Sequence, residues 1–384
     1  PVDWTALFTS AGLDRFQFKD ATPEWTSLAA SDTRAAWTGV WPVSGRPLRI
    51  EAAAFRGRPV FFRLIGPWTR PERMSPFEDM PHRKVSQILQ LVFLALIFSG
   101  AAALARRNYK RGHSDRRGAF RLAQFLFVIQ LALWLAYGHF VPDVQLTALF
   151  VFALSFALFM SALSWLLYMA LEPLIRKLWP QTIISWTRVV SGRIRDPLVA
   201  RDTLFGIILG LIWVLILGVR FTYGFSRLGL APQMLSTDYL LGLRSTLGAL
   251  LVQLPDGIQG TLAFFFILAV LRFLLRKPWA AAVGFVVIFT TLRGLASHHP
   301  ALEVPASILV YGIAAVALVR FGLVTLAVAV FVADTLLNVP VTFDFSRWYA
   351  PFTLAVPLVF LALAIWSFRT ALAGQKLIKP DLMT

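Results

Sequence analysis

The sequence predicts a mainly α, polytopic transmembrane bundle of about nine spans with a small α+β domain held outside the membrane at its N-terminus. Three observations carry that expectation. Only 15% of the 384 residues are charged and 57% are hydrophobic, whereas a soluble chain carries roughly a quarter charged residues to cover its surface. After residue 85 the apolar residues gather into runs near the roughly 20 that a helix needs to cross the hydrocarbon core. Residues 1–84 instead mix basic and acidic side chains with turn signals such as Ser44-Gly45-Arg46-Pro47.

Within 1–84, the alternating runs Leu48-Arg49-Ile50-Glu51 and Val60-Phe61-Phe62-Arg63-Leu64 flank Arg56-Gly57-Arg58-Pro59 and predict a hairpin. Trp37–Trp41 offers a third strand, and Trp4–Gly12 and Asp32–Ala36 read as helical. In the remainder, 85–384, spans are predicted at 86–105, 120–140, 145–171, 203–219, 258–275, 279–297, 304–319, 322–337 and 350–368.

Orientation follows from the loops, because Lys and Arg accumulate on the cytoplasmic side. The stretch Arg106–Arg117 and the long loop 172–202 are strongly basic, while Val141–Asp143, 297–304 and 338–346 are nearly free of basic residues. The parity works with the N-terminal domain outside and the C-terminus, with Lys376 and Lys379, inside. Residues 238–254 test it, being apolar yet carrying Arg244 and ending at Pro255-Asp256-Gly257. A separate span there would put Arg272, Arg276 and Lys277 outside, so the segment reads as an outer-face interfacial or re-entrant helix.

The same composition excludes several chemistries. With no cysteine there are no disulfides, thiol nucleophiles or Cys–metal sites. The net charge of +17 could suggest nucleic acid, but the distribution of charge matters more than its sum, and membrane lipids, not nucleic acid, are the expected partners. No His-Glu-x-x-His, Gly-x-Ser-x-Gly or phosphate-binding Gly-rich loop is present, so neither catalytic residues nor a cofactor are expected in this chain. The chain opens on Pro1, from which an upstream segment is expected.

Four features could carry function. In the inner loop, Trp179, Ile183, Trp186 and Val190 recur on one helical face near 178–192, with Arg188 elsewhere. That pattern suits an interfacial helix, serving either as an anchor or as a coupling element to a cytoplasmic partner. Arg293 and Asp334 lie inside predicted spans at matching depth, and a charge there costs at least ~2.5–3.5 kcal/mol unless paired. They read as an intramembrane polar pair, structural or functional, extended by Asn338. His298, His299 and Glu303 share one predicted outer loop, and His139 with Asp143 lies in another; they are weak metal candidates, since no pair has the i,i+4 spacing of two histidines. Gly206-Ile207-Ile208-Leu209-Gly210 is a small-xxx-small pattern that signals close helix packing.

Several stretches resemble the C-terminal membrane region of multidomain bacterial serine/threonine protein kinases of the kind abundant in acidobacteria. They are 171–180, 184–188 and 192–202 in the inner loop, with Ala36–Gly39, 65–73 and 344–350. The resemblance covers nearly the whole chain and implies a cytoplasmic kinase domain in the same parent chain, ahead of a membrane helix leading into the outer domain. No kinase catalytic residue is carried here. The expected function is therefore the membrane-embedded sensor and anchor of a receptor-like kinase in the inner membrane, with membrane lipids as neighbours and a ligand the sequence does not define. The competing expectations are a transporter or permease-like subunit with a polar path near Arg293 and Asp334, and a scaffold for an envelope complex.

Overall fold

The computed structural model describes residues 2–42, 44–69, 81–112, 114–138, 140–233, 235–342 and 344–373, with side chains omitted at 81–83 and 352. His139, Lys376 and Lys379 lie outside the described residues. The chain divides into two units, Pro1–Asp79 with Phe221–Gln233, and Met80–Arg220 with Met234–Thr384.

The first unit opens with α1 (Thr5–Ser10). An antiparallel meander follows, with β1 (Lys19–Ala21), β2 (Thr33–Val40), β3 (Pro47–Phe55) and β4 (Arg58–Ile65) in sequence order. At the β3–β4 turn Arg56 and Gly57 both have positive φ, 51° and 76°, as the two-residue hairpin turn requires to match the twist of its strands. Strand β2 corrects the helical reading of Asp32–Ala36. Alanines favour helix when taken alone, but Ala35 and Ala36 pair opposite Ala52 and Glu51, and burial of Ala36 and Trp37 decides the outcome. The core is aromatic: the fully buried Phe8 ring meets Phe18, Trp37 and Phe62 edge-on at 5.1–5.6 Å. Buried Glu51 accepts from Arg49 Nε at 2.8 Å and from the Glu24 backbone N–H at 3.0 Å. In the same unit the Arg46 guanidinium lies 4.0 Å over the Phe225 ring.

The second unit is helical: α2 (Pro81–Arg111), α3 (Arg116–Tyr137), α4 (Gln145–Leu178), α5 (Ile184–Val190) and α6 (Pro197–Leu228), whose last residues belong to the first unit. Then come α7 (Leu243–Leu275), α8 (Pro278–Ala296), α9 (Pro300–Val316, continued by a wider turn to Phe321), α10 (Leu323–Asn338) and α11 (Ala350–Ala371). Eight of the described helices are long and apolar enough to cross a membrane. The exception among the predicted spans is α10, 16 residues long. It is short because it is central: Leu323, Thr325, Leu326, Ala329, Val332 and Thr335 are all fully buried. A helix sheathed by protein need not match the lipid thickness.

The segment 238–254 is not a helix of its own: Thr237–Leu240 form a short turn, and from Leu243 onward the segment is the first part of α7. Leu243–Leu275 is one 33-residue helix running through Pro255. Proline removes one backbone hydrogen bond and crowds the preceding turn, but neighbouring helices make this tolerable in an apolar bundle. Gly257, next to it, lets α7 approach α10, with the Ala327 carbonyl only 3.3 Å from where a Cβ would stand. Arg244 is explained too, since its guanidinium donates to the Leu135 carbonyl at 2.7 Å and to that of Gly138, at the end of α3. Those carbonyls lack helical partners and carry the negative end of the helix dipole.

Gly206 and Gly210 mark the tightest crossing of α6 and α10. A Cβ at Gly206 would stand 2.7 Å from the Thr325 carbonyl oxygen, and one at Gly210 2.8 Å from that of Ala329. Buried Thr325 donates from Oγ1 to the Asp202 carbonyl at 3.0 Å across the same crossing.

Candidate functional site

The candidate site is a layer of charge spread over five helices of the second unit. Measured at 1.5 Å per residue from the basic ends of their helices, Arg220, Asp256, Arg293, Glu303 and Asp334 all stand about 15–30 Å up. Arg220 of α6 forms an ion pair with Glu303 of α9, and both side chains are largely buried, at 20% and 14% exposure. Ser307, one turn further along α9, donates to Glu303 at 3.5 Å. Arg293 of α8 donates from Nε to the Tyr311 hydroxyl at 3.3 Å, and Tyr311 stacks on Phe289 at 5.0 Å. Asp334 of α10 lies in the electrostatic fields of Arg293 and of Asp256 on α7. Asn338 donates to the Asp334 backbone carbonyl at 2.7 Å, which closes the last turn of α10 and leaves the carboxylate untouched.

The expected partners are thus brought to one layer but joined differently. Arg293 and Asp334 sense each other's charge, while the direct partner of Arg293 is Tyr311. Glu303 is engaged by Arg220 and by the Ser307 hydroxyl. His298 and His299 are exposed in the α8–α9 turn, and no group of three or more His, Asp or Glu among the described residues is placed to hold a metal ion. Arg220, Tyr311 and Asp256 were not singled out from the sequence as part of this layer. The signal for Arg220 was present, because the predicted span 203–219 stops one residue short of it and α6 runs on.

The buried ion pair gives a direct test. Breaking one partner of such a pair costs about 3 kcal/mol, more than the intact pair contributes. Arg220→Met and Glu303→Gln should each lower the thermal midpoint in detergent, and the double variant should fall short of the sum. Additive losses in that double-mutant cycle would show that the two charges act independently.

At the other end of the bundle, the segment between α4 and α6 packs inward. A turn at Pro180–Ile183 leads into α5, and Ile183, Ser185 and Trp186 are buried, while Trp179 meets Phe265 of α7 at 5.6 Å. The apolar face read as resting on lipid is largely covered by the bundle itself. Arg188, on the other side of α5, pairs with Asp196. Asp196 also accepts from the Leu198 N–H at 2.9 Å, as the cap residue directly before Pro197 at the start of α6. Burial pushes the Asp196 carboxyl up, but the Arg188 and Leu198 hydrogen bonds outweigh it and hold the group below its ordinary value of 3.8. A lowered folded-state pKa contributes stability above the unfolded value, and that stability is lost as pH falls through the folded one. Unfolding of wild type and Asp196→Asn should therefore differ near neutral pH and converge as the carboxylate is protonated in acid. A constant difference across that window would show that the carboxylate charge is not what matters.

Comparison with protein-family models, with curated proteins and with solved structures finds no match for this chain.

Proposed function

We propose that the chain is the membrane-embedded sensor and anchor portion of a receptor-like serine/threonine protein kinase of the bacterial inner membrane, without catalysis of its own. The observation that carries this reading is one chain joining a folded sheet unit to a bundle with eight helices of membrane-crossing length, α6 supplying residues to both units. The kinase assignment draws on the resemblance of the inner-loop and flanking stretches. The orientation draws on loop charge. With α7 a single helix, α2, α3, α4 and α6–α11 make nine crossings, and Arg106–Arg117, 188–201, Arg272–Lys277 and Arg320 fall at the same side. That side is the cytoplasm, and the sheet unit lies outside.

The cysteine-free background makes orientation testable. In spheroplasts a membrane-impermeant maleimide should label Ser10→Cys and spare Arg193→Cys until the cells are lysed; the reverse pattern would overturn the orientation. For the kinase assignment, the coding frame ahead of Pro1 should contain kinase motifs, and the intact product should autophosphorylate. A start codon close upstream without such motifs ends that assignment.

A second reading, transport, is favoured by one feature of the charged layer. Asp256 and Asp334 feel each other's charge, and among the described residues neither carboxylate takes part in a side-chain hydrogen bond. Loss of solute flux in Asp334→Asn proteoliposomes, with folded protein retained, would favour transport over sensing.

A further inference from the structure

A groove of about 700 Å³ runs along the outside of the bundle between α8 and α9. Its walls are almost wholly apolar, from Thr290 and Ile308 at one end to Trp279 and Arg320 at the other. It exists because its floor is made of small residues. Gly312 and Ala315 line it, and a Cβ built on Gly312 meets no heavy atom within 4 Å. Along α8 it covers Pro278 to Thr291, about 20 Å at 1.5 Å per residue, somewhat more than one leaflet of a hydrocarbon core ~30 Å thick.

The chemistry of its mouth selects the occupant. Arg320 is exposed and, among the described residues, makes no hydrogen bond or ion pair. Arg276 and Lys277, also exposed, directly precede the lining residues Pro278 and Trp279. No acidic residue occurs between Asp256 and Glu303 or between Glu303 and Asp334, so none of α8, α9 or the start of α10 supplies a nearby counter-charge. Trp279, 65% exposed, sits at the same level, where indole rings favour the headgroup region.

We propose that this groove binds one acyl chain of an anionic phospholipid from the leaflet facing the basic loops, with the phosphate held by Arg320 and the neighbouring basic residues. The inference rests on the membrane reading given above, and the test separates the two. The intact chain is incorporated into nanodiscs of equal parts phosphatidylglycerol and phosphatidylethanolamine, then released for native mass spectrometry. Wild type should retain phosphatidylglycerol in preference to phosphatidylethanolamine. Arg320→Gln should reduce that preference about fivefold, the usual contribution of one basic residue at an anionic surface. Gly312→Leu, filling the floor, should abolish retention without altering helicity or oligomeric state. A chain that stays out of the discs would overturn the membrane reading and the groove with it. An incorporated chain that retains both lipids equally, or is unaffected by Gly312→Leu, overturns the groove alone. A change of oligomeric state in Gly312→Leu would instead assign the groove to a second copy.

Discussion

Gly322→Ala is expected to abolish recovery of folded protein. Gly322 separates α9 from α10 and has φ 105° and ψ −165°, a backbone region essentially closed to residues with a Cβ. That strain alone costs about 1–3 kcal/mol. The added Cβ would also lie 2.0 Å from the Thr182 carbonyl oxygen and 2.8 Å from its carbon. Both are backbone atoms of the turn that leads into α5, and neither can swing aside as a flexible side chain would. Relief requires moving Pro180–Ile183, which carries Ile183 and neighbours Trp186 in the bundle core. The expected loss exceeds about 4 kcal/mol, in the range reserved for named structural faults. Gly218→Ala is the matched control, because a Cβ there meets nothing within 4 Å and helix propensity favours alanine by about 1 kcal/mol. Size-exclusion profiles and thermal midpoints in detergent compare the two. A monodisperse, normally melting Gly322→Ala protein would mean that the Pro180–Ile183 turn does not pack against Gly322.

The contact between Gly322 and Thr182 also shows where sequence reading stopped. Hydropathy runs announce helices because each helix bears its own apolar residues, and so the long helices and the β3–β4 hairpin were legible. What a helix packs against is non-local. Trp179, Ile183 and Trp186 form an apolar face equally suited to lipid or protein, and only the folded chain shows that Phe265 and the α9–α10 turn lie beside it. Pro255 misled for the same reason, since its local tendency to break a helix was offset by packing of α7 on α10. In the sheet unit, Ala35 and Ala36 gave way to pairing with β3. The charged layer was half legible. Depth along each helix put Arg293 and Asp334 level, but the choice of Tyr311 for Arg293 and of Arg220 for Glu303 depends on helix neighbours that no spacing encodes.

Gly206→Leu is expected to separate α6 from α10 and to cost about 3 kcal/mol, the upper range for overpacking a closely fitted interior. The pattern Gly206-xxx-Gly210 puts both glycines on one face of α6, and their missing side chains are what the α10 backbone occupies. The Thr325 carbonyl and the Val328 Cβ would each lie 2.7 Å from the new Cβ before the rest of the leucine is placed. The helices must move apart, and the Thr325–Asp202 hydrogen bond, buried and spanning 123 residues of chain, is lost with them. Since α10 is the most enclosed of the apolar helices and also bears Asp334, the displacement reaches the charged layer as well as the core. The effect can be read apart from stability by placing single cysteines on α6 and α10 in the cysteine-free background and comparing disulfide formation. Wild-type spacing should cross-link readily, and the Gly206→Leu background should not. Unchanged cross-linking with an unchanged melting point would show that α6 is held by its other neighbours and that the two glycines are incidental to the crossing.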